Sequence, residues 1–136
     1  MAKTNRTLRL GIIGLGQAGA MIIDEIKAAP GLPWTIAAAA DPRAHATKQF
    51  KDEFGVPAYR DAEELCAKTD VDVVYIATQP WDHLAHTKAA AAHGKHVICE
   101  KPMALSLEDA AAIVTAAKQG GIKLPKRMPL ITASNR

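Results

Sequence analysis

The chain has 136 residues, of which 49% are hydrophobic and 23% charged, and its formal net charge is +3. This length suffices for one domain with a hydrophobic core, and this composition is typical of a soluble globular protein. The basic residues are too dispersed, with too few aromatic residues among them, for a nucleic-acid-binding surface, and no apolar run is long enough for a membrane span.

The N-terminus and the cysteines indicate the cellular compartment in which the protein is expected. Residues 1–7 lack the apolar segment of a secretory signal. Cys66 and Cys99 lie far apart in the sequence and form no C-x-x-C pair. We therefore expect a cytoplasmic protein without disulfide bonds.

Strand-like segments recur along the chain, and most are continuous apolar runs, as in strands that are covered on both faces. The predicted strands cover residues 8–13, 34–40, 56–59, 71–77 and 96–99, and a sixth begins at 122–124, where Pro125 interrupts it.

Helix-like segments separate these strands. They cover residues 17–29, a segment from the first turn at Pro42 to the glycine at 55, a short helix capped by Asp61, residues 82–93, and a last helix between Ser106 and Gly120. On this last helix the spacing predicts a buried stripe of Ala110, Ile113, Val114 and Ala117. The alternation of strands and helices predicts an α/β fold with a doubly wound parallel sheet, the Rossmann type.

The first strand and the first helix are joined by the turn Gly14-Leu15-Gly16-Gln17-Ala18-Gly19. This is G-x-G-x-x-G between a strand and a helix, the context in which it is typical of dinucleotide binding. Gly14 permits the tight turn, Gly16 permits close approach to a pyrophosphate, and Gly19 permits close packing of helix on strand. The alternative is a glycine-rich turn without a ligand.

An acidic residue follows at the spacing that such a site requires. Asp41 lies 22 residues beyond Gly19, at the end of the second predicted strand, where a carboxylate binds the ribose hydroxyls of NAD. Its charge repels a 2′-phosphate, so NAD is favoured, whereas Arg43 leaves NADP as an alternative. A second interpretation of Asp41 is a helix N-cap and nothing more.

Strand order brings further loops to the same place. In a doubly wound sheet the first strand lies beside the fourth, with the fifth next, and ligands bind at the carboxyl ends. The segments Thr78-Gln79-Pro80-Trp81 and Glu100-Lys101-Pro102 therefore meet the glycine turn and Asp41 at one edge. This convergence favours a dinucleotide site over a bare turn.

The sequence resembles the N-terminal domain of the Gfo/Idh/MocA family of NAD(P)-dependent oxidoreductases, which act mostly on sugars, inositols and diols. The resemblance covers about residues 8–121. It rests on the glycine turn, Ala40-Asp41-Pro42, Tyr75-Ile76-Ala77-Thr78, His83 and the segment from His93 to Pro102, of which Glu100-Lys101-Pro102 is the most specific part.

The resemblance implies roles for these residues. Lys101 is implied as the catalytic residue, beside the nicotinamide and the reacting hydroxyl or carbonyl, where an ammonium group stabilises a developing alkoxide or helps to move the hydroxyl proton. Glu100 orients Lys101 or contacts the cofactor, and a cis Lys101–Pro102 bond is allowed. The remaining implied members of the cofactor site are Thr78 and Pro80 beside the nicotinamide ribose, Trp81 above it, Gln79 and His83.

The histidines raise a rival interpretation, because two pairs have metal-ligand spacing: His83 with His86, and His93 with His96. The pairs lie at opposite ends of one predicted helix, about 15 Å apart. This is too far for a single tetrahedral zinc site, so we expect no metal.

The end of the sequence departs from the family pattern. The family carries a second domain after the sixth strand, which forms the substrate pocket, whereas the pattern here stops near Leu124. We therefore expect a dinucleotide-binding domain over 1–124, an irregular basic tail over 125–136, and a truncated or frameshifted version of a longer enzyme. The incomplete sheet predicts marginal stability and self-association, hence a homo-oligomer.

Two functions from different classes compete. The first is an NAD(P)-dependent oxidoreductase that transfers hydride between nicotinamide and a hydroxyl or carbonyl of a small sugar, inositol or diol. The second is a noncatalytic dinucleotide-binding fragment of such an enzyme. A binder of S-adenosylmethionine or another nucleotide is weaker, because Glu100-Lys101-Pro102 has no role in it.

Overall fold

The computed structural model describes residues 7–31 and 33–125, which form a five-stranded sheet with helices on both faces. The strands are β1 (Leu8–Ile13), β2 (Trp34–Ala40), β3 (Ala58–Tyr59), β4 (Val73–Ile76) and β5 (His96–Cys99). The helices are α1 (Gln17–Lys27), α2 (Ala44–Phe54), α3 (Ala62–Lys68), α4 (His83–Ala92) and α5 (Leu107–Gln119), and a 3₁₀ turn, Pro80–Asp82, precedes α4.

The sheet is parallel throughout, in the order β3-β2-β1-β4-β5. This is the predicted order, with β1 at the centre between β2 and β4. The order reverses at β1, so the carboxyl ends of β1 and β4 flank the crevice in which such folds bind ligands.

Apolar residues fill both faces of the sheet. One cluster packs α1 and α2 against the sheet through Ile22, Ile23 and Phe50, and the other packs α3 and α4 through Leu65 and Ala90. The alanines of β2 are fully buried, as the unbroken apolar run predicted.

Two helix starts follow the sequence signals. The carboxylate of Asp61 accepts a hydrogen bond from the N–H of Glu64 at 2.7 Å, and the hydroxyl of Ser106 accepts one from the N–H of Asp109 at 3.1 Å. Each side chain satisfies a backbone donor that the first turn leaves free, so both predicted caps are confirmed.

Several predicted boundaries are wrong. Helix α1 ends at Lys27 and not at 29, β4 is shorter than 71–77, β3 is shorter than 56–59, and the helix predicted over 82–93 begins at His83 and ends at Ala92. Helix α2 begins at Ala44, because the Asp41 carboxylate accepts the N–H of Arg43 and so holds Pro42 and Arg43 in a turn before the helix.

Two predictions at the C-terminal side are also corrected. Val114 was expected in the buried stripe of α5, but it is 42% exposed, whereas Ile113 and Ala117 are buried. Residues 122–124 form no strand among the described residues, although the N–H of Val97 bonds the carbonyl of Lys123 at 3.0 Å. Apart from Pro125, the predicted tail lies outside the described residues.

Across the described residues, no helix combines the length and the apolar character needed to cross a membrane.

Candidate functional site

A crevice of about 490 Å³ opens at the carboxyl edge of the sheet. Its volume lies within the range of small-molecule sites in proteins. Its walls come from the ends of four strands and the turns that follow them. The lining residues are Ile13, Gly14, Gly16, Ala40, Asp41, Pro42, Arg43, Arg60, Asp61, Ala62, Ala77, Thr78, Gln79, Asp82 and His86.

The glycine turn forms the floor of this crevice. Gly14 has a φ of +99°, and a Cβ placed on it would approach Thr78 Cγ2 to 2.9 Å, so a larger residue fits neither the backbone nor the space. A Cβ on Gly19 would overlap the carbonyl oxygen of Gly14. The first and third glycines are therefore required by the close contact of α1 with the end of β1.

Gly16 faces open space. The nearest atom to a Cβ placed there would be a guanidinium nitrogen of Arg43, 4.0 Å away. Gly16 is also the N-cap of α1 and has no side chain to bond the free N–H groups of the first turn. These donors, together with the positive end of the helix dipole, suit a phosphate.

Asp41 is the most constrained polar side chain of the crevice, and it is 5% exposed. One carboxylate oxygen accepts the N–H and Nε–H of Arg43, both at 2.9 Å, and the other accepts the N–H of Leu15 at 2.8 Å and Nη2 of Arg43 at 3.0 Å. The carboxylate thus joins the glycine turn to the turn after β2. It is not an N-cap of α2, whose N-cap is Arg43.

The charge state of Asp41 follows from these bonds. Burial alone would raise the pKa of its carboxyl, but the hydrogen bonds and charge of Arg43 and the N–H of Leu15 outweigh it and lower the pKa below its usual value. Asp41 is therefore ionised near neutral pH. The guanidinium paired with it offsets part of the negative charge that a ligand phosphate would meet.

Sequence reasoning missed four polar or charged residues of the crevice: Arg60, Asp61, Asp82 and His86. Arg60 and Asp61 follow β3, so the rule that places ligands at the carboxyl ends of strands contained the signal for them. His86 was considered only as a metal ligand. Its Nδ1 lies 2.9 Å from the Thr78 hydroxyl, and burial lowers its pKa.

The Glu100-Lys101-Pro102 segment follows β5 at the same edge. The N–H of Glu100 bonds the carbonyl of Ile76 at 2.9 Å, and the Lys101–Pro102 peptide bond is cis. The Glu100 carboxylate accepts a hydrogen bond from the hydroxyl of Tyr75, and burial together with this bond raises the pKa of that phenol. Glu100 is thus tied to β4, and Lys101 is exposed to solvent.

His83, predicted as a member of the cofactor site, is fully buried and does not line the crevice. Its Nε2 lies 2.8 Å from the carbonyl oxygen of Thr78 and its Nδ1 lies 2.9 Å from the carbonyl oxygen of Met103. The ring is thus enclosed behind the crevice wall by these two carbonyl groups and by the Cys99 thiol, whose Sγ lies 3.1 Å from Nδ1. His83 therefore contacts the backbone of the loops after β4 and β5 and not the crevice itself.

Other predicted residues surround the crevice without lining it. Leu15 contributes its N–H to Asp41, and Gln17 and Ala18 lie in the first turn of α1. Pro80 begins the 3₁₀ turn, and Trp81 within this turn is 67% exposed. Trp81 therefore projects into solvent and does not cover the crevice.

Within 7–31 and 33–125, no three His, Cys, Asp or Glu side chains are grouped to hold a metal ion. The four histidines of the rival interpretation contact other groups. His83 and His86 contact the loop after β4, Nε2 of His93 lies 2.7 Å from Glu63, and Nδ1 of His96 accepts the N–H of Lys123 at 3.0 Å.

Comparison with known proteins agrees with this geometry. The family model described as "Oxidoreductase family, NAD-binding Rossmann fold" matches residues 8–125. The chain belongs to the Gfo/Idh/MocA oxidoreductase family. The predicted Rossmann fold, family and NAD-type cofactor are thereby confirmed.

Three similar proteins illustrate the range of this family. The 1-carboxy-3-chloro-3,4-dihydroxycyclo hexa-1,5-diene dehydrogenase of Comamonas testosteroni is 36% identical over 84% of this chain and 28% of its own. A glycosyl hydrolase family 109 protein of Streptomyces niveus is 41% identical over 76% of this chain and 22% of its own. The scyllo-inositol dehydrogenase of Lactobacillus casei, solved with NAD(H) and scyllo-inositol, superposes with a TM-score of 0.79 at 28% identity, over 88% of this chain and 36% of its own.

These Gfo/Idh/MocA relatives are much longer than the matched segment. The chain spans between 22% and 36% of their length. The similarity therefore covers the dinucleotide-binding fold and not the remainder of the relatives.

Proposed function

We propose that this chain is the dinucleotide-binding part of an NAD-dependent oxidoreductase that acts on a hydroxyl or carbonyl group of a sugar, inositol or diol-like substrate. The observation that carries the proposal is the crevice in which Gly16, Asp41 and Thr78 meet at the carboxyl edge of the sheet. The names of several relatives support the substrate class, since they are dehydrogenases of a cyclic diol and of inositols.

The residues present fit the dinucleotide. Gly14 and Gly16 leave room for a pyrophosphate, and the N–H groups at the start of α1 supply donors for it. Asp41 is ionised and is suited to accept the ribose hydroxyls, while Thr78 and Gln79 line the part of the crevice after β4, beside Pro80, and are proposed to take the nicotinamide ribose. When bound, NAD supplies the acceptor for the hydride that leaves the substrate carbon.

Lys101 and Glu100 complete the proposed assignment. Lys101 is exposed and follows β5 at the carboxyl edge of the sheet, and its ammonium group is proposed to hold or move the proton of a substrate hydroxyl. Glu100, held by the hydroxyl of Tyr75, fixes the start of the Lys101 segment. Glu100 therefore positions the lysine backbone and does not pair with its ammonium group in this arrangement.

NADP is the alternative cofactor, and the Asp41–Arg43 pair supports it. The Arg43 guanidinium is half-exposed and lies beside Gly16. Its positive charge partly offsets the negative charge of the Asp41 carboxylate, with which it forms an ion pair. A 2′-phosphate placed at Asp41 would compete for the same guanidinium.

The noncatalytic interpretation also has an observation in its favour, because the match spans only 28% of one relative, 22% of another and 36% of a third. A hydride-transfer site needs a wall that holds the substrate opposite Lys101. The relative named as a glycosyl hydrolase family 109 protein shares this dinucleotide-binding segment, so the segment does not by itself determine the reaction. A homo-oligomer, a cytoplasmic location and a basic tail at 125–136 stay predictions.

Binding and turnover are measured on the same preparation. We expect the unmodified chain to bind NADH, and Asp41→Asn to weaken NADH by about tenfold while it affects NADPH less, because the amide no longer accepts both ribose hydroxyls. Asp52→Asn, which removes an exposed carboxylate paired with Lys48 on α2, is the control.

The same preparation is then assayed for NADH formation with a panel of inositols, sugars and diols. Turnover supports the oxidoreductase, and binding without turnover supports the noncatalytic alternative. If the unmodified chain binds neither NADH nor NADPH, the proposal is wrong in both forms.

A further inference from the structure

His86 lines the crevice and has one ring nitrogen without a protein partner. It lies on the first turn of α4, and its Nδ1 is 2.9 Å from the Thr78 hydroxyl. Burial lowers the pKa of the ring, so His86 is neutral near neutral pH and carries a single N–H.

The Thr78 hydroxyl determines which ring nitrogen carries that hydrogen. Within residues 7–31 and 33–125 the hydroxyl has Nδ1 as its one hydrogen-bond partner, so we assign the O–H as donor and Nδ1 as acceptor. The ring N–H is then at Nε2, which is accessible to solvent and has no partner within the same residues. His86 therefore offers a free N–H donor at the crevice wall.

A carboxylate lies beside this donor. Asp82 precedes His86 by four residues, a spacing that places two side chains on one face of a helical segment, and both residues line the crevice. The charge of Asp82 opposes the effect of burial on the pKa of His86. Asp61 acts on this pKa in the same way, but its carboxylate already accepts the N–H of Glu64 at the start of α3. Asp82 and His86 thus present an acceptor and a donor on one face.

The proposed function places the adenine base of the dinucleotide towards this face. In the adenosine ribose, C5′ leads to the pyrophosphate, C2′ and C3′ carry the hydroxyls, and C1′ carries the base. With the pyrophosphate at Gly16 and the hydroxyls at Asp41, the base points away from the glycine turn. Besides the loop after β4, the crevice beyond Asp41 is lined by residues that follow β3 or begin α4: Arg60, Asp61, Ala62, Asp82 and His86.

The orientation of Thr78 agrees with this placement. Its methyl group is the nearest atom to a Cβ placed on Gly14 in the glycine turn, whereas its hydroxyl contacts His86. The two branches of one side chain therefore separate the glycine turn from His86. The pyrophosphate and the base are separated along the ligand in the same way.

We propose that His86 and Asp82 recognise the Watson–Crick edge of adenine, with Nε2–H of His86 as donor to N1 and the Asp82 carboxylate as acceptor of the 6-amino group. This inference rests on the proposed function, because it takes the dinucleotide as the ligand. Hypoxanthine carries an N–H at N1 and a carbonyl oxygen at C6. It would therefore place donor against donor at His86 and acceptor against acceptor at Asp82.

The alternative is that His86 only packs in the crevice wall. Adenine and hypoxanthine have nearly the same shape, so a packing residue does not distinguish them. The preference for one base over the other therefore separates recognition from packing, whereas the affinity for a single dinucleotide does not.

The test compares NADH with reduced nicotinamide hypoxanthine dinucleotide, which differs from it only in the base, and both are followed through nicotinamide fluorescence. We expect the unmodified chain to bind NADH at least about tenfold more tightly than the hypoxanthine analogue, since matched hydrogen bonds are replaced by unpaired groups.

Two substitutions each remove one half of the recognition. His86→Leu removes the donor, and Asp82→Asn replaces the carboxylate with an amide that can face either base. In each variant we expect the preference for NADH to fall to about threefold or less, mainly through weaker binding of NADH. His93→Leu, at the other end of α4 and paired with the exposed Glu63, is the matched control and is expected to keep the full preference.

The outcomes separate the base recognition from the proposed function. Equal affinity of the unmodified chain for the two ligands overturns the recognition, and so does a full preference that survives either substitution. Equal weakening of both ligands in His86→Leu shows a packing role. If His86→Leu does not fold, Asp82→Asn decides by the same criterion. Failure of the unmodified chain to bind either dinucleotide overturns the proposed function itself.

Discussion

At the scale of single residues, Asp41 and Arg43 act as a pair whose balance sets the choice of cofactor. Arg43 donates to Asp41 from its backbone and from two guanidinium nitrogens, at 2.9 to 3.0 Å. The ribose hydroxyls of NAD must share or displace these bonds, whereas a 2′-phosphate can take over the guanidinium. The Arg43 side chain is therefore expected to lower the affinity for NAD and to raise the affinity for NADP.

Substitution of this side chain separates the two effects. Arg43→Ala is expected to lower NADPH affinity by about tenfold or more, because a charge-assisted hydrogen bond to the 2′-phosphate is lost. NADH affinity is expected to stay within about threefold, because the freed Asp41 oxygens become available to the ribose. Competition titrations with the two cofactors measure both values.

The control for this substitution is Arg9→Ala. Arg9 lies on β1, away from the crevice, and its guanidinium pairs with Asp70. It is expected to leave both affinities unchanged. A fall in NADH affinity as large as that in NADPH affinity would show that Arg43 serves the common part of the two cofactors and would contradict the assignment.

The sequence predicted Asp41 but not its surroundings. The spacing from the glycine turn identified the carboxylate, because that distance is set by one helix, α1, and one strand, β2. It did not reveal the N–H of Leu15 or the crevice residues Arg60 and His86, because these contacts join segments that become neighbours only when the sheet has formed.

At the scale of elements, the contact between α1 and the end of β1 is the tightest in the site. The Cα of Gly19 lies against the carbonyl group of Gly14, and no space for a methyl group exists between them. The helix must therefore begin at a fixed distance from the strand. This distance places the free N–H groups of α1 over the crevice floor.

Gly19→Ala tests this packing. The added methyl group forces α1 away from Gly14, and we expect a loss of about 3 kcal/mol in the free energy of unfolding, at the upper end of overpacking effects. NADH binding is expected to fall as well, since the phosphate donors move. Denaturant unfolding followed by circular dichroism measures the stability.

Gly31→Ala provides the comparison, because a Cβ there meets no atom within 4 Å. It is expected to change stability by no more than about 0.5 kcal/mol. Equal changes in the free energy of unfolding for the two substitutions would contradict this explanation. They would show that helix propensity or the unfolded state, and not the contact with Gly14, determines the loss of stability in Gly19→Ala.

The order and type of the elements were predictable, since apolar runs, glycines and caps such as Asp61 and Ser106 are local signals. Their ends were less predictable. The start of α2 depends on the Asp41 carboxylate that holds Arg43 in a turn, and β4 ends at Ile76 because its pairing with β1 and β5 ends there. The exposure of Val114 depends on how α5 lies against α4, which periodicity does not determine.

At the scale of the whole molecule, topology explains why distant residues form one site. Parallel strands in the order β3-β2-β1-β4-β5 bring the ends of β1, β2 and β4 together, and the chain order of the elements made this predictable. The burial of His83 was not predictable, because its motif position suggested a ligand contact while its backbone partners follow from the packing of two loops.

The central claim is that NAD binds at the carboxyl edge of this sheet, and backbone amide chemical shifts during an NADH titration test it most directly. We expect the largest changes at Gly14, Gly16, Arg43 and Thr78, and no change at Gly94 and His96, which lie away from the crevice at the opposite edge. Shifts confined to that opposite edge, or the absence of any shift at saturating NADH, would contradict the account.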